Sequence, residues 1–415
     1  MSINPMKLYD IKLPYSIHCA FPAAILATCL VILAVVSLLG RSPLLPPPPA
    51  VTSRAADDGS DGYTYNHSCN IFNGDWVPDP GAPPYTGETC PLIHGHYDCM
   101  RYGRPDLGFL RWRWRPAACE LPRFDAARFL DAMRGKSMAF VGDSLARNQM
   151  HSLVCLLAAA ERPAPGTKTN ASHAYRYESH GFTVAAFWSP FLVRAVETDP
   201  DGPTRSGSGL WSLHLDEPDA GWAAHAGEFD YVVVSAASWF FRPSVFHERR
   251  RVVGCSGCLA PNVTDLTLRY SLRAAFRSAL RAAMDAGGGG RRRRFRTVVV
   301  RTLSPSHYEG ADCARTRPMR RGGWEMSAVE KEMYAIQREE FTTAAVEAAA
   351  RMEGEGARML LLDATEAMAL RPDAHPSRYR LWQPERFNVS RDCLHWCLPG
   401  AMDACNDMLL HMLLR

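Results

Sequence analysis

Short apolar runs alternate with helical stretches in the second part of the chain, and this alternation constrains the fold more than any other feature. The runs have the length and apolar content of buried strands and lie at Met138–Val141, Phe182–Phe187, Tyr231–Val234, Thr297–Val300 and Met359–Leu362. Helices are predicted between them at Leu145–Ala160, Leu266–Ala286 and Met326–Met352. Strands that alternate with helices indicate a parallel sheet. The sequence therefore predicts an α/β fold in which helices flank both faces of that sheet.

The N-terminal residues read as a membrane anchor and a stem. Cys19–Leu39 is apolar without a formal charge, which is long enough to cross a bilayer. Arg41 and the Pro-rich stretch Pro43–Pro49 follow instead of a small-residue cleavage site, so a retained signal anchor is expected. We predict a cytosolic tail over residues 1–17, the anchor over 18–39, a disordered stem over 40–65 and a catalytic domain over 66–415.

Sequons and cysteines indicate that this domain is lumenal. Glycosylation sequons begin at Asn66, Asn170, Asn262 and Asn388. Most of the 13 cysteines lie beyond the anchor, where an oxidising compartment favours disulfides. Cys255 and Cys258 have zinc-knuckle spacing without a second pair, so they are expected to form disulfides. Residues 66–133 are dense in Cys, Trp, Pro and Gly and predict a disulfide-pinned, loop-rich subregion ahead of the core at 134–415.

Composition excludes some classes of partner. The chain has 415 residues, of which 47% are hydrophobic, enough for a large core. Its formal net charge of +4 does not indicate nucleic-acid binding. The basic run Arg291–Arg294 follows four glycines and reads as a solvated loop.

The segment with the most chemical information joins an apolar strand to a helix. Gly142, Asp143 and Ser144 follow the run Met138–Val141, and the helical pattern begins at once. A serine at this junction meets the free N–H groups and positive end of the helix dipole, which favour a nucleophile that develops negative charge. The alternative is that Asp143 or Ser144 only caps the helix.

A second candidate segment lies near the C-terminus. Asp392 and His395 stand three residues apart, so both can face one side of a turn. His395 could then accept the proton of Ser144 while Asp392 orients the imidazole. The alternative is a structural histidine beside a disulfide. An early Gly-Asp-Ser and a late Asp-x-x-His on one α/β chain resemble the SGNH (GDSL) esterase superfamily.

The resemblance narrows when longer segments are compared. Phe140–Gln149, Trp188–Leu192, Asp392–Gly400 and Cys69–Pro78 are similar to the plant trichome birefringence-like family of polysaccharide O-acetyltransferases. Membership implies an SGNH-like fold and a type II protein of the Golgi membrane. Val233–Pro243 and Cys255–Leu266 most resemble the xyloglucan-directed branch, of which mannan-directed members are close relatives.

The resemblance also implies a disulfide pattern. It pairs Cys69 with Cys119 and Cys90 with Cys155. It further joins Cys99 and Cys313 to the pair Cys393 and Cys397, which would clamp the histidine loop. Cys405 stands where the family would have an aromatic residue and is the candidate unpaired thiol.

One family feature is missing from this sequence. SGNH esterases place an oxyanion-hole Asn after a central strand, whereas the stretch Ser235–Ser238 has none. Beside Gly142 and Asp143, the candidate oxyanion donor is the backbone N–H of Ser144. The side chains of Arg147 and Asn148 are further candidates, and the alternative is that they only pack.

The triad predicts acyl-serine chemistry without a metal or a bound cofactor. The family implies an acetyl donor, either acetyl-CoA or an acetyl group relayed by a partner protein, and a polysaccharide acceptor in a groove. Trp239 is the candidate groove wall. Golgi donor proteins or glycosyltransferases are expected partners. The rival functions are an acetylesterase with the same triad and a non-catalytic polysaccharide-binding protein.

Overall fold

The computed structural model describes residues 69–166, 173–199, 209–285, 296–308, 313, 315–351, 357–381 and 391–415. Strands in the described residues are β1 (Gly74–Pro78), β2 (Trp112–Pro116), β3 (Ser137–Gly142), β4 (Ala164–Pro165), β5 (His173–Tyr177), β6 (Phe182–Trp188), β7 (Val193–Asp199), β8 (Leu210–Pro218), β9 (Tyr231–Ser235), β10 (Ser244–Glu248), β11 (Arg251–Ser256), β12 (Thr297–Arg301) and β13 (Arg358–Leu362). The α-helices are α1 (Ala126–Ala132), α2 (Ser144–Leu157), α3 (Ala220–Ala223), α4 (Thr267–Asp285), α5 (Ala328–Ala349), α6 (Thr365–Ala369) and α7 (Ala401–Leu413).

The main sheet contains every strand that the apolar runs predicted. Its described strands lie in the order β13-β12-β9-β3-β6-β5-β4, and those from β13 to β6 are parallel. The predicted parallel arrangement does not hold at one edge, where β5 is antiparallel to both β6 and β4. A tight turn with Gly181 at φ 62° joins β5 to β6, and a hairpin connection can only produce antiparallel strands.

A separate mixed sheet was not predicted. Its described strands lie in the order β11-β10-β8-β7, with β8 and β10 parallel. These strands are half-exposed, so they contain no continuous apolar run that sequence reading could detect. Leu213, Leu215 and Phe246 are buried and join this sheet to the core beside α4.

The predicted long helices are present as α2, α4 and α5, with ends shifted by a few residues. Helix α5 begins with a capping box in which Ser327 and Glu330 exchange hydrogen bonds. Its buried residues include Met333 and Ile336. Helix α7 packs against α2 and was not predicted.

The N-terminal subregion has more regular structure than the sequence indicated. Strands β1 and β2 form an antiparallel pair, although residues 66–133 were expected to consist mainly of loops. Trp76 and Trp114 meet edge to face across that pair, with ring centroids 5.8 Å apart. The disulfide Cys69–Cys119 closes a loop within this subregion, and Cys90–Cys155 ties the subregion to helix α2.

The remaining cysteines are also placed. Cys99 bonds with Cys397 and Cys313 with Cys393, a choice that the sequence left open. Cys255 bonds with Cys258, as expected for a disulfide pair. Buried Cys405 is the free cysteine among the described residues.

Several predictions fall on residues outside the described ranges: the anchor, the stem and the sequons at Asn66, Asn170 and Asn388. Asn262 is exposed in a turn, with φ 60°. Within the described ranges, none of the helices is both long and apolar enough to span a bilayer.

Candidate active site

Ser144 occupies the junction between the central strand and the helix that follows it. Strand β3 ends at Gly142 and α2 begins at Ser144. Gly142 has φ 149°, and a Cβ at this position would lie 1.8 Å from the carbonyl oxygen of Ser235. Because both the dihedral angle and the close approach require glycine, this residue allows β3 and β9 to end side by side beneath the serine.

Asp143 joins the two loops that follow these strands. Its Oδ1 accepts from the Leu145 N–H at 2.9 Å, which caps α2. Its Oδ2 accepts from the Ala237 N–H and the Ser238 hydroxyl, each at 3.1 Å. Asp143 therefore holds the serine turn against the loop after β9, and the capping role applies to Asp143 while Ser144 faces the histidine.

Ser144, His395 and Asp392 form a continuous hydrogen-bonded row. The Ser144 hydroxyl lies 2.5 Å from His395 Nε2, and His395 Nδ1 lies 2.8 Å from Asp392 Oδ2. Because a carboxylate can only accept, Nδ1 donates to Asp392 and Nε2 is left to accept from the serine. The imidazole is thus in the tautomer that removes a proton from Ser144.

Asp392 is buried and yet held as a carboxylate. Burial acts to raise its pKa, but the charge of His395 and hydrogen bonds from its ring and backbone outweigh burial, with Arg380 contributing. The pKa of Asp392 therefore lies well below its usual range. Its Oδ1 accepts from the N–H groups of Leu394 and His395 at 3.1 and 3.0 Å, so the carboxylate also shapes the turn that carries the histidine.

Several contacts fix this turn on the domain. The disulfides of Cys393 and Cys397 lie on either side of His395. The buried side chain of Asn148 accepts from the Trp396 N–H at 2.9 Å and donates to the Trp396 carbonyl at 3.2 Å. His375 Nδ1 donates to the carbonyl of His395 at 2.6 Å. Sequence reading singled out Asn148 as an oxyanion candidate; its amide is instead engaged by the Trp396 backbone.

The donors available to an oxyanion are correspondingly few. Ala237 and Ser238 are directed at Asp143. The N–H of Ser144 lies in the first turn of α2, where backbone N–H groups have no acceptor within the helix. Arg147 lies one turn further along α2, which places it on the same side of the helix as Ser144.

Comparison with known proteins assigns the chain to a family. Residues 121–412 match the family described as PC-Esterase, the GDSL/SGNH-like Acyl-Esterase family found in Pmr5 and Cas1p, and residues 67–120 match the PMR5 N terminal Domain. Protein trichome birefringence-like 19 of Arabidopsis thaliana is 46% identical over 85% of this chain and 82% of that protein. The chain belongs to the trichome birefringence-like family.

Xyloglucan O-acetyltransferases are among its relatives. Xyloglucan O-acetyltransferase 1 of Arabidopsis thaliana is 40% identical, over 84% of this chain and 80% of that protein. Xyloglucan O-acetyltransferase 4 of Populus trichocarpa is 39% identical, over 84% of this chain and 81% of that protein. The resemblance to the trichome birefringence-like family is thereby confirmed.

In this trichome birefringence-like protein, a histidine-rich wall borders the triad. The Tyr97 hydroxyl donates to the Ser144 carbonyl at 3.0 Å. His94 stacks beside His96 and lies near His151 and His173. Burial, followed by the charge of Arg147, lowers the pKa of His94 to about 4, and burial likewise lowers the pKa of the other three. The histidines of this wall are therefore neutral, and Arg147 and Arg380 are cations that act on them. Sequence reading missed it because these histidines form no local motif.

Two tryptophans lie where β6 ends and just after β9, and they differ in exposure. Trp188 ends β6 and is 42% exposed. Trp239 is only partly exposed, is edge to face with Trp188, and has the Arg242 guanidinium 4.0 Å from its ring centroid. Sequence reading chose Trp239 as the groove wall and passed over Trp188, because exposure of a tryptophan cannot be read from its neighbours in sequence. In the described part of the chain, no group of three or more His, Cys, Asp or Glu residues is placed to hold a metal ion.

Proposed function

We propose that this protein is an O-acetyltransferase that moves acetyl groups onto hydroxyls of a plant cell-wall polysaccharide, through an acetyl-Ser144 intermediate. The observation that carries the proposal is the row Ser144–His395–Asp392, with its tautomer set by Asp392, in a family that includes xyloglucan O-acetyltransferases. A pure binding protein needs none of these three side chains in this arrangement.

In the first half-reaction Ser144 takes the acetyl group from the donor. His395 Nε2 accepts the hydroxyl proton as Ser144 Oγ attacks the acetyl carbonyl carbon, and Asp392 stabilises the imidazolium. The bond from the carbonyl to the donor breaks, and His395 returns the proton to the leaving group. The donor is acetyl-CoA or an acetyl group relayed by a partner protein, and no bound cofactor takes part.

In the second half-reaction the ester passes to the acceptor. A sugar hydroxyl gives its proton to His395 Nε2 and attacks acetyl-Ser144. The Ser144 Oγ–acetyl bond breaks and the serine regains the proton. The backbone N–H of Ser144 is the donor that we assign to the developing oxyanion, with Arg147 as the second candidate. For transfer to exceed hydrolysis, the acceptor hydroxyl must occupy the position that water would otherwise take.

We propose xyloglucan as the acceptor, since two relatives that bear this name are 40% and 39% identical to the chain. The apolar segment Cys19–Leu39 and the sequons support a type II protein of the Golgi membrane with a lumenal catalytic domain. Golgi donor proteins or glycosyltransferases would be its partners. The second candidate function is an acetylesterase, which the description of the matching family favours and which would use the same triad.

The test uses the full-length chain in detergent, as wild type and as Ser144→Ala. Each is incubated with acetyl-CoA and deacetylated xyloglucan, mannan or xylan oligosaccharides, and mass spectrometry follows acetyl-sized gains. We expect a gain on xyloglucan with the wild type alone. A gain on mannan or xylan instead would retain the mechanism and overturn the acceptor. Loss of acetyl groups from acetylated oligosaccharides, with no gain on any acceptor, would identify an esterase.

A further inference from the structure

We propose that the exposed side chain of Trp188, with the Arg147 guanidinium 5.5 Å from its ring centroid, is a binding subsite for one neutral pyranose ring of the acceptor, next to Ser144. The inference rests on the proposed function for the identity of the ligand. Neither residue belongs to the triad, and sequence reading selected a different tryptophan.

Trp188 lies close to the nucleophile Ser144 at the edge of the main sheet. In the register of the main sheet, Trp188 on β6 pairs with Gly142 on β3. The Ser189 N–H donates to the Gly142 carbonyl at 2.9 Å, which continues the pairing beyond the strand end. Neighbouring strands are roughly 5 Å apart, and Ser144 is two residues after Gly142. Trp188 therefore stands beside the nucleophile at the same edge of the sheet.

The Trp188 side chain is held in place by its neighbours and is still accessible to solvent. Its ring is edge to face with that of Trp239, with centroids 5.3 Å apart. Trp239 is in turn edge to face with Trp211 and Phe191, at 5.7 and 5.8 Å. This packing fixes Trp188 from one side, although 42% of the residue stays exposed. A rigid, accessible indole binds a ligand at little cost in side-chain entropy.

The chemistry of Trp188 and Arg147 fits a sugar ring. The C–H groups on one face of a pyranose are apolar and pack on an indole, while hydroxyls project from the rim. The Arg147 guanidinium lies 5.5 Å from the Trp188 ring centroid, where its N–H groups can donate to such hydroxyls. The adjacent histidines are neutral because burial, largest of the causes, lowers their pKa values, so they add no charge against a neutral sugar.

The size of the surface also favours a sugar. A protein or membrane partner needs a contiguous apolar patch of several hundred Å². The exposed indole of Trp188, with Arg147 beside it, has the size of one ring of a polysaccharide chain. Trp239, with Arg242 at 4.0 Å from its ring centroid, supports the subsite and does not form its surface.

The test measures binding and catalysis separately. Affinity for deacetylated xyloglucan oligosaccharides is measured by calorimetry on full-length Ser144→Ala, alone and combined with Trp188→Ala or Trp188→Phe. We expect Trp188→Ala to weaken binding about 30-fold, as for an aromatic anchor in an interface, and Trp188→Phe to weaken it less because a smaller ring remains. Tyr270→Ala is the matched control, since Tyr270 is an exposed aromatic residue on α4 and should not affect affinity.

The catalytic arm uses the chains with Ser144 intact. The burst of p-nitrophenol from p-nitrophenyl acetate reports acetylation of Ser144, and KM for the oligosaccharide reports the acceptor. In Trp188→Ala the rise in KM should exceed any change in the burst rate. Unchanged affinity and KM in this variant would overturn the subsite. Failure of wild type to acetylate any oligosaccharide would instead overturn the proposed function, and the calorimetry would still decide whether Trp188 binds a sugar.

Discussion

Replacing Asn148 by alanine should loosen the catalytic histidine without touching a triad residue. The Asn148 amide is fully buried and pairs with both the N–H and the carbonyl of Trp396, the residue after His395. A buried backbone group that loses its partner costs roughly 1–3 kcal/mol. The loss of both partners should lower the free energy of unfolding by about 2–6 kcal/mol. The higher helix propensity of alanine offsets only a few tenths of a kcal/mol of this loss.

The same change should slow acetylation of Ser144. If the turn moves by about 1 Å, the geometry between His395 Nε2 and the serine hydroxyl is lost, and a displacement of that size costs on the order of 100-fold in rate. Urea unfolding followed by tryptophan fluorescence gives the stability, and the p-nitrophenol burst gives the rate. Thr342→Ala is the control, because Thr342 is an exposed polar residue on α5 and changes there stay within about 0.5 kcal/mol. A loss below about 1 kcal/mol together with a burst rate within twofold of wild type would refute the reasoning.

The remaining predictions concern single ionisable groups. Asp392→Asn should lower kcat about 10,000-fold, because an amide no longer fixes the His395 tautomer, and a burst rate within tenfold of wild type would contradict this role. Burial, with Asp403 adding, raises the pKa of Asp407 from 3.8 to about 7. Between about pH 4 and pH 7 the folded state therefore keeps a proton that the unfolded state releases. The free energy of unfolding should fall by at most about 4 kcal/mol as the pH rises through this range. Asp407→Asn should reduce this dependence on pH, as measured by urea unfolding. Burial raises the pKa of the Cys405 thiol to about 11, so this thiol should not react in the native protein. Cys405→Ala should leave iodoacetamide labelling of the native protein unchanged and should remove one equivalent of label from the protein unfolded in urea. Faster labelling of the native wild type than of the variant would contradict this prediction.

Local patterns in the sequence were sufficient for the five parallel strands of the main sheet and for the turn that carries Ser144. A continuous apolar run indicates a strand that is buried on both faces. A glycine at position 142 indicates a backbone angle and a close approach that other residues do not allow. Each signal spans only a few residues of the sequence. The mixed sheet of β7, β8, β10 and β11 escaped detection because half-exposed strands leave no such run. Helix α7 was not predicted, although Met408, Leu409 and Leu410 are among its buried residues.

The candidate site also has a part that the sequence predicted and a part that it did not. Sequence reading identified Ser144, Asp392 and His395 by their local motifs and by a family resemblance. It could not distinguish the partners of Cys99 and Cys313, and it left open whether Asn148 assists an oxyanion or only packs. Disulfide partners and clamp contacts depend on which loops meet in space, and Asn148 and Trp396 are 248 residues apart.

By itself, the sequence determined the strand-to-helix alternation, the Gly-Asp-Ser junction and the residue types available for acyl-serine chemistry, because these depend on neighbours along the chain. The tertiary structure alone decided that His395 reaches across 251 residues to Ser144, that Trp188 is exposed while Trp239 supports it, and that neutral histidines surround Arg147. Exposure, pKa and hydrogen-bond partners are set by everything that packs around a side chain, and most of those neighbours are distant in sequence.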